Sequence, residues 1–388
     1  MTFCDKKDIL FFGLLYSKFV DGNKKKDGRI NMKRKNKKEL KKYDKVFGDR
    51  LVYDMTPEEK LEPITKEVGE TLRHRLEKRW YRRLIELNVL IVVVVIAVFI
   101  CNFSKNYDKF TEYGNQIQEE IDAAIKEASV DENKKTDDKK KEQKKDNKKS
   151  KENTDDKDKL TKDDIPFEVT ALGYGLFILV VGYIGLYVYY AMYRSNALRI
   201  TEKNFPEVYE TIEQYANRLG IKVPKAYIMQ SSGVLNAFST FLFRRQWIMI
   251  NSEIFEVAYR ENHDMDSLNF IIAHEMAHIY YGHATLHYNL PIWFSMYVPI
   301  INSIASRARE YSCDRLAQRL TGVDGVDAML ILVVDRHLYK MVDKEDYIEE
   351  LRGMKGFFIW LVNMIMDHPI MAKRIVALKE GRGSGALY

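Results

Sequence analysis

Phe270-Ile-Ile-Ala-His-Glu-Met-Ala-His278 decides how the rest of this 388-residue chain is read. His274 and His278 are four residues apart, so on a helix they lie on one face, one turn above the other. Two imidazoles so placed grip one metal ion. Glu275, about 100° further round the helix, stands where it can polarise a metal-bound water. The flanks suit a helix, with Asp266-Ser267 as a cap at the start and Gly282 as a stop just past the end.

A catalytic zinc takes a third protein ligand and keeps one position open. His283 lies five residues beyond His278. The extended spacing H-E-x-x-H-x-x-G-x-x-H would need Gly at Tyr281 and His at Ala284, so His283 does not fit it. His287 fits no better. Glu310 is the stronger candidate, on a second expected helix, Ser306-Arg-Ala-Arg-Glu-Tyr-Ser-Cys-Asp314, that stops near Gly322. Asp314 is one turn on, on the face of Glu310, and can orient a ligand imidazole through its free N–H. Cys313 is off that face and reads as core rather than nucleophile.

Around these motifs, residues 194–388 carry ordinary domain signals. Phe205-Pro206 opens a helix with apolar positions at Val208, Ile212, Tyr215, Ala216 and Leu219, ending at Gly220. Lys225–Met229 and Gln246–Ile250 read as strands, with Val234–Phe243 as a further extended stretch. From Ser267 onward the chain reads as mainly helical. The expected fold is an α+β, mainly helical zincin-type peptidase domain.

At this point the sequence resembles the HtpX-like and CAAX-prenyl-protease-like membrane zinc metallopeptidases of the gluzincin class. The resemblance rests on HEMAH followed by AREYSCD. Leu235-Asn-Ala-Phe238 matches the family's Asn-Ala-Phe segment, an edge strand that pairs with substrate backbone. His368-Pro369 with Arg374 matches its C-terminal His-Pro…Arg element. The four motifs stand in the family's order over about residues 200–380. The resemblance implies Zn²⁺ on His274, His278 and Glu310, Glu275 as general base, and His368 as donor to the tetrahedral intermediate. It further implies that Arg374 organises the site and that Asn236, Ala237 and Phe238 contact an extended substrate. Pro369 is placed to start a helix with His368 at its cap. One departure stands out. HtpX-like members carry two hydrophobic hairpin segments between the H-E-x-x-H helix and the Glu ligand, whereas only 31 residues separate His278 and Glu310 here. Leu290–Ile304 contains Pro291 and Pro299 and leaves no room for two spans, and a chain with only two spans elsewhere cannot build the many-helix chamber of prenyl-protease members.

The bulk composition conceals a membrane part. Hydrophobic residues make up 46% of the chain and charged residues 30%, with a net charge of +6. These averages exclude a collagen-like or fully disordered chain and a polytopic transporter. Three distant cysteines exclude a disulfide scaffold. Yet Leu87–Phe103 and Ala171–Tyr193 carry no charge, and each is long enough for a bilayer core of about 30 Å. Ile9–Tyr16 is too short to span, and no small-residue cleavage site follows it, so no signal peptide is expected.

The division expected is a basic cytoplasmic region 1–83, a span 84–103, a polar and largely disordered extracytoplasmic loop 104–170, a span 171–193 and a peptidase domain 194–388. Residues 1–83 hold 24 Lys/Arg against 14 Asp/Glu, residues 104–170 hold 16 against 19, and residues 171–388 hold 22 of each. Arg73, Arg75, Lys78, Arg79, Arg82 and Arg83 precede the first span, and Arg194, Arg199 and Lys203 follow the second. By the positive-inside rule both termini and the peptidase domain are cytoplasmic. Lys24–Lys45 is a basic arm facing solvent or anionic lipid. Asp131–Asp164, with lysines interleaved among acids and no aromatics, reads as a solvated tether, not a nucleic-acid tail. The Gly-rich tail Gly381–Tyr388 is expected to be mobile.

The function expected is a membrane-anchored zinc endopeptidase that hydrolyses peptide bonds by metal-activated water. Its substrates would be unfolded or membrane-protein segments, in membrane-protein quality control. Membrane lipid is a further partner, nucleic acid is not, and the oligomeric state stays open. The alternatives are a non-catalytic, metal-stabilised membrane scaffold and a protease of prenylated peptides.

Overall fold

The computed structural model describes residues 40–105, 107–137, 167–230, 237–242, 245–298 and 300–387. Ile9–Tyr16, the first part of the basic arm, the tether beyond residue 137 and Asn236 lie outside the described residues. The chain divides into two compact units, residues 1–88 with 193–388, and residues 89–192.

The larger unit is mostly helical around a four-stranded sheet. Helix α1 is Lys66–Leu72, and α2, Glu77–Lys105, begins in this unit. After β1 (Ala197–Arg199), α5 (Pro206–Leu219) starts on Pro206 and ends on Gly220, whose φ of 64° is left-handed. Its buried Val208, Ile212, Tyr215, Ala216 and Leu219 repeat at helical spacing and form one stripe against the core. Here α3 denotes Tyr107–Asp137 of the smaller unit, and α4 denotes Phe167–Ser195, of which all but the last three residues belong to it.

The sheet comprises β1, β2 (Lys225–Met229), β4 (Arg245–Asn251) and β3 (Ala237–Leu242), in the order β1-β2-β4-β3. The β2–β4 pair is parallel and the outer pairs are antiparallel, so β3 is an edge strand. The apolar runs of β2 and β4 are buried, as strands covered by helices require.

Helix α6, Met265–Tyr281, runs against β3, β4 and α5, and packs most extensively on α7, Ile301–Thr321. Its Leu268, Phe270, Ile272, Ala273, Met276 and Ala277 are fully buried and meet Cys313, Leu316, Ala317 and Leu320 in one core. Burial of each large side chain contributes about 1.5–3 kcal/mol. The start of α6 lies slightly before the expected cap. Asp264 caps it, accepting from the Ser267 N–H at 3.0 Å, because its carboxylate reaches the third helical residue. Gly282 ends α6 at φ 76° and Gly322 ends α7 at φ 76°, both as expected. Beyond α7 come α8 (Val326–Val334), α9 (Lys344–Gly353), α10 (Phe357–Ile365) and α11 (Met371–Glu380). Before α8, Gly325 has φ +78° and the Phe270 ring fills the space where a Cβ would stand, so only glycine fits.

Two segments expected to be peripheral belong to this core. Residues 40–88 are not a detached basic region: Tyr43, Phe47, Val52, Leu72 and Leu84 are buried. Val52 N–H donates to the Gly381 carbonyl at 3.0 Å, and the Ile64 N–H donates to the Arg218 carbonyl at 2.7 Å. The positive charge sits on other side chains, and its excess masks this apolar set. The tail through Leu387 is packed rather than mobile. Arg315 Nε donates to the Gly383 carbonyl (2.8 Å), the Tyr311 hydroxyl to that of Ala386 (3.1 Å) and Asn363 Nδ2 to that of Leu387 (3.0 Å). Gly385 lets the backbone lie against the Tyr311 ring where a Cβ would collide.

In the smaller unit, the portion of α2 beyond Asn88 and the uncharged length of α4 leave Val95, Ile100, Leu172 and Ile178 open. Both parent helices have 29 residues, about 44 Å, enough to cross a hydrocarbon core of about 30 Å. Residues 107–137, expected to belong to a disordered loop, are helical. Their Glu-, Ala-, Ile- and Lys-rich sequence favours helix without tertiary burial, and Gln118 donates to Asp122 at 3.0 Å, one turn away.

Because Phe47 is core, Phe47→Ala is expected to destabilise the larger unit by about 3–5 kcal/mol, seen as a lower melting temperature of the full chain in detergent. An unchanged melting temperature contradicts this placement.

Candidate metal centre

The α6–α7 contact brings the candidate ligands together. His274 Nε2 and His278 Nε2 are 3.3 Å apart, and each is 3.4 Å from a Glu310 carboxylate oxygen, Oε2 and Oε1 respectively. The other ring nitrogens are engaged elsewhere. His274 Nδ1 is 2.9 Å from Asp314 Oδ1, and His278 Nδ1 is 3.1 Å from His283 Nδ1. Protons on the two Nδ1 atoms satisfy those partners and leave two Nε2 lone pairs facing each other and a carboxylate. The two Nε2 lone pairs and the carboxylate oxygens at those separations repel one another unless a proton or a metal ion lies between them. A tetrahedral ion with ligand bonds of about 2.0–2.1 Å has donor–donor edges of about 3.3–3.4 Å, so the Nε2–Nε2 edge and the contact of each Nε2 with its own Glu310 oxygen suit a zinc-sized ion.

The electrostatics agree. Burial works against charge on His274, but the Asp314 and Glu310 carboxylates overcome it and lift the imidazole to about 10. Burial would raise Glu310, yet hydrogen bonds from His274, His278 and His368 hold it well below the usual carboxylate range. The Asp314 carboxyl, which burial would also raise, is brought to about 2 by Arg374 and His274. The pocket therefore draws positive charge, which a proton or a metal ion can supply.

Arg374, on α11, clamps Asp314 through Nε (2.9 Å) and Nη2 (2.7 Å), with Nη1 3.5 Å from Glu310. Such a two-pronged grip fixes the carboxylate plane. His368 precedes α11, whose cap is Ile370 rather than His368. Pro369 leads into Ile370, which is extended, and the helix begins only at Met371. The His368 side chain is 64% exposed, with Nδ1 3.2 Å from Glu310 Oε2, and Glu310 raises its pKa. Glu275, His368 and Arg374 line one cleft of about 530 Å³ with the three ligand candidates. Of the substrate-contact candidates, Ala237 and Phe238 stand at the start of edge strand β3, opposite Ile250 and Met249.

Two residues of the centre escape sequence reasoning. His283 fits no ligand spacing, yet it is buried against His278, and its Nε2 is 3.1 Å from Glu77 Oε1. Burial drives the His283 imidazole down to about 4 despite that carboxylate, so the ring is neutral. Glu77, the first residue of α2 and ahead of the apolar run, is fully buried between Arg73, Ser312 and His283. Burial would raise its carboxyl, but His283 and Arg73 hold it below the usual range. The available signal was that Glu77 is the one acid in the otherwise basic run 73–83. Cys313 Sγ is 3.7 Å from His283 Nδ1, giving a second geometric trio, His278, His283 and Cys313. Burial raises the Cys313 thiol well above its ordinary value, which disfavours the thiolate that a metal needs.

Residues 202–296 match the model described as Peptidase family M48, a range that includes His274, Glu275, His278 and His283. The chain is also similar to a protein named Protease HtpX from Alkalilimnicola ehrlichii. They are 27% identical over 266 residues, covering 54% of this chain and 84% of that protein. Together with the two spanning-length helices, these findings define a membrane-associated metallopeptidase. The chain thus resembles HtpX-type proteases and carries a segment similar to peptidase family M48.

The depressed Asp314 pKa has a consequence for stability. Its folded value of about 2 lies below the unfolded value of about 3.9, so its contribution is present above about pH 4 and is lost as pH falls toward 2. Metal-free Asp314→Asn is expected to show a shallower loss of melting temperature over that window than the unaltered chain. Parallel profiles contradict it.

Proposed function

We propose that this protein is a membrane-anchored, zinc-dependent endopeptidase that cleaves extended segments of unfolded or membrane proteins. The observation that carries the reading is the mutual 3.3–3.4 Å spacing of His274 Nε2, His278 Nε2 and the Glu310 carboxylate, with Glu275 beside them in the cleft. Zinc held by those three residues supplies Lewis acidity, lowering the pKa of water and polarising a carbonyl. Glu275 takes the proton of the attacking water on its carboxylate and passes it to the leaving nitrogen. His368 presents its Nε2 to the developing oxyanion while Nδ1 rests against Glu310. Asp314 fixes the His274 tautomer, and Arg374 fixes Asp314.

Ala237 and Phe238 begin the edge strand, which can extend the sheet by one substrate strand, with Asn236 just before it in sequence as a further contact. That mode needs an unpaired, extended chain, which supports a role in membrane-protein quality control. The basic residues flanking both apolar helices support two spans with the peptidase domain and both termini cytoplasmic, next to anionic lipid. A pure scaffold has no use for Glu275 in the cleft, and two spans do not enclose a prenyl chain.

Glu275→Gln in the full chain is expected to lower casein cleavage by about two to four orders of magnitude with bound zinc unchanged. Undiminished cleavage contradicts the mechanism. For orientation, added protease is expected to cut within residues 104–170 of right-side-out sealed vesicles and to leave residues 194–388 intact; the opposite pattern reverses the topology.

A further inference from the structure

The ligand His274 has an obvious support in Asp314 and Arg374. His278 has one of different origin. Its Nδ1 is 3.1 Å from His283 Nδ1, and His283 Nε2 is 3.1 Å from Glu77 Oε1. Glu77 is held in turn by Arg73, with Nη2 at 2.5 Å and Nε at 2.7 Å, and by the Ser312 hydroxyl of α7. Each proton in this chain has one consistent place. Glu77 is acceptor-only, so His283 carries its proton on Nε2 and offers the Nδ1 lone pair to the His278 Nδ1–H. That leaves His278 Nε2 bare on the side of His274 and Glu310. Reversing the His283 tautomer would set a lone pair against the Glu77 carboxylate and an N–H against an N–H.

We infer that His283 and Glu77 are positioning residues for the metal ligand His278, so that the segment leading into the first apolar helix completes the metal centre. The inference rests on the zinc-site reading above. Two elements distant in sequence each steady one imidazole: α7 and α11 through Asp314 and Arg374 for His274, residues 73–77 through Glu77 and His283 for His278. Outer partners of this kind set ring orientation and ligand basicity, and their loss typically costs 10–100-fold in metal affinity. Glu77 begins α2, and eleven residues later, at Asn88, the same helix reaches the apolar run that leaves this unit. Geometry at the metal is thereby tied to the seating of that helix on the peptidase domain.

The test is zinc affinity, measured by competition with a chelating dye on the metal-free full chain in detergent. His283→Leu removes the acceptor for His278 Nδ1–H, whereas His283→Gln can restore one through its side-chain carbonyl. The expected result is one zinc per unaltered chain, about 10–100-fold weaker binding in His283→Leu, and His283→Gln within about threefold of the unaltered chain. A folded His283→Leu within about threefold, or equal losses in both variants, overturns the inference alone. Two zinc ions per chain also overturn it, because His283 would then be a ligand with Cys313. No zinc in the unaltered chain overturns the metal-site reading and this inference with it. Should His283→Leu not fold, Glu77→Gln decides. It keeps an acceptor but removes the charge, so binding about threefold or more weaker supports the inference and unchanged binding overturns it.

Discussion

Three electron-rich side chains converge between α6 and α7, and the rest of the domain is arranged to hold them there. His274 Nε2 and His278 Nε2 stand 3.3 Å apart, each 3.4 Å from its own Glu310 oxygen, separations that are unfavourable unless a proton or a metal ion lies between them. What resists their relaxation is the apolar seam of Leu268, Ile272, Met276, Leu316 and Leu320 on the same two helices. Polar partners then fix the rings. Asp314 meets His274 on one side, His283 meets His278 on the other, and a buried Arg–carboxylate contact lies behind each. Preorganisation of this sort leaves metal binding little reordering to impose.

Helix α7 shows what the arrangement demands. It is polar in sequence, yet almost every residue from Ser303 to Leu320 is buried. Buried polar groups cost free energy unless bonded, and here they bind the ends of neighbouring elements. Arg307 Nη1 donates to the Met364 and Met366 carbonyls, and Gln318 Nε2 to those of Asp324 and Leu378. Arg315 holds the C-terminal tail, and Ser312 meets both the His74 N–H and Glu77. The N-terminal segment and the tail are therefore part of how α7, and with it Glu310, is kept in place.

Local chemistry made much of this readable beforehand. The H-E-x-x-H spacing, the left-handed glycines after α6 and α7, and Pro206 at the start of α5 are short-range signals, and each lies where the sequence places it. The convergence of His274, His278 and Glu310 was foreshadowed because the i, i+4 histidine spacing and a carboxylate on a following helix are short-range signals. Long-range pairing was not. The apolar residues Tyr43, Phe47 and Val52 were masked by the basic surroundings, and only the folded chain buries them and brings Tyr43 and Val52 to Gly381. Glu77 and His283 are 206 residues apart and match no motif spacing. The helix over residues 107–137 was misread because polarity was taken as disorder, although a helix rich in Ala, Glu and Lys needs no buried face.

The central claim is that His274, His278 and Glu310 hold the metal, leaving His283 and Cys313 outside the coordination sphere. X-ray absorption at the zinc edge of the metal-loaded full chain addresses it directly. The expected first shell is nitrogen and oxygen only, at about 2.0–2.2 Å, with the outer-ring scattering of two imidazoles. A sulfur scatterer at about 2.3 Å, which only a cysteine such as Cys313 bound in the alternative trio would supply, contradicts it.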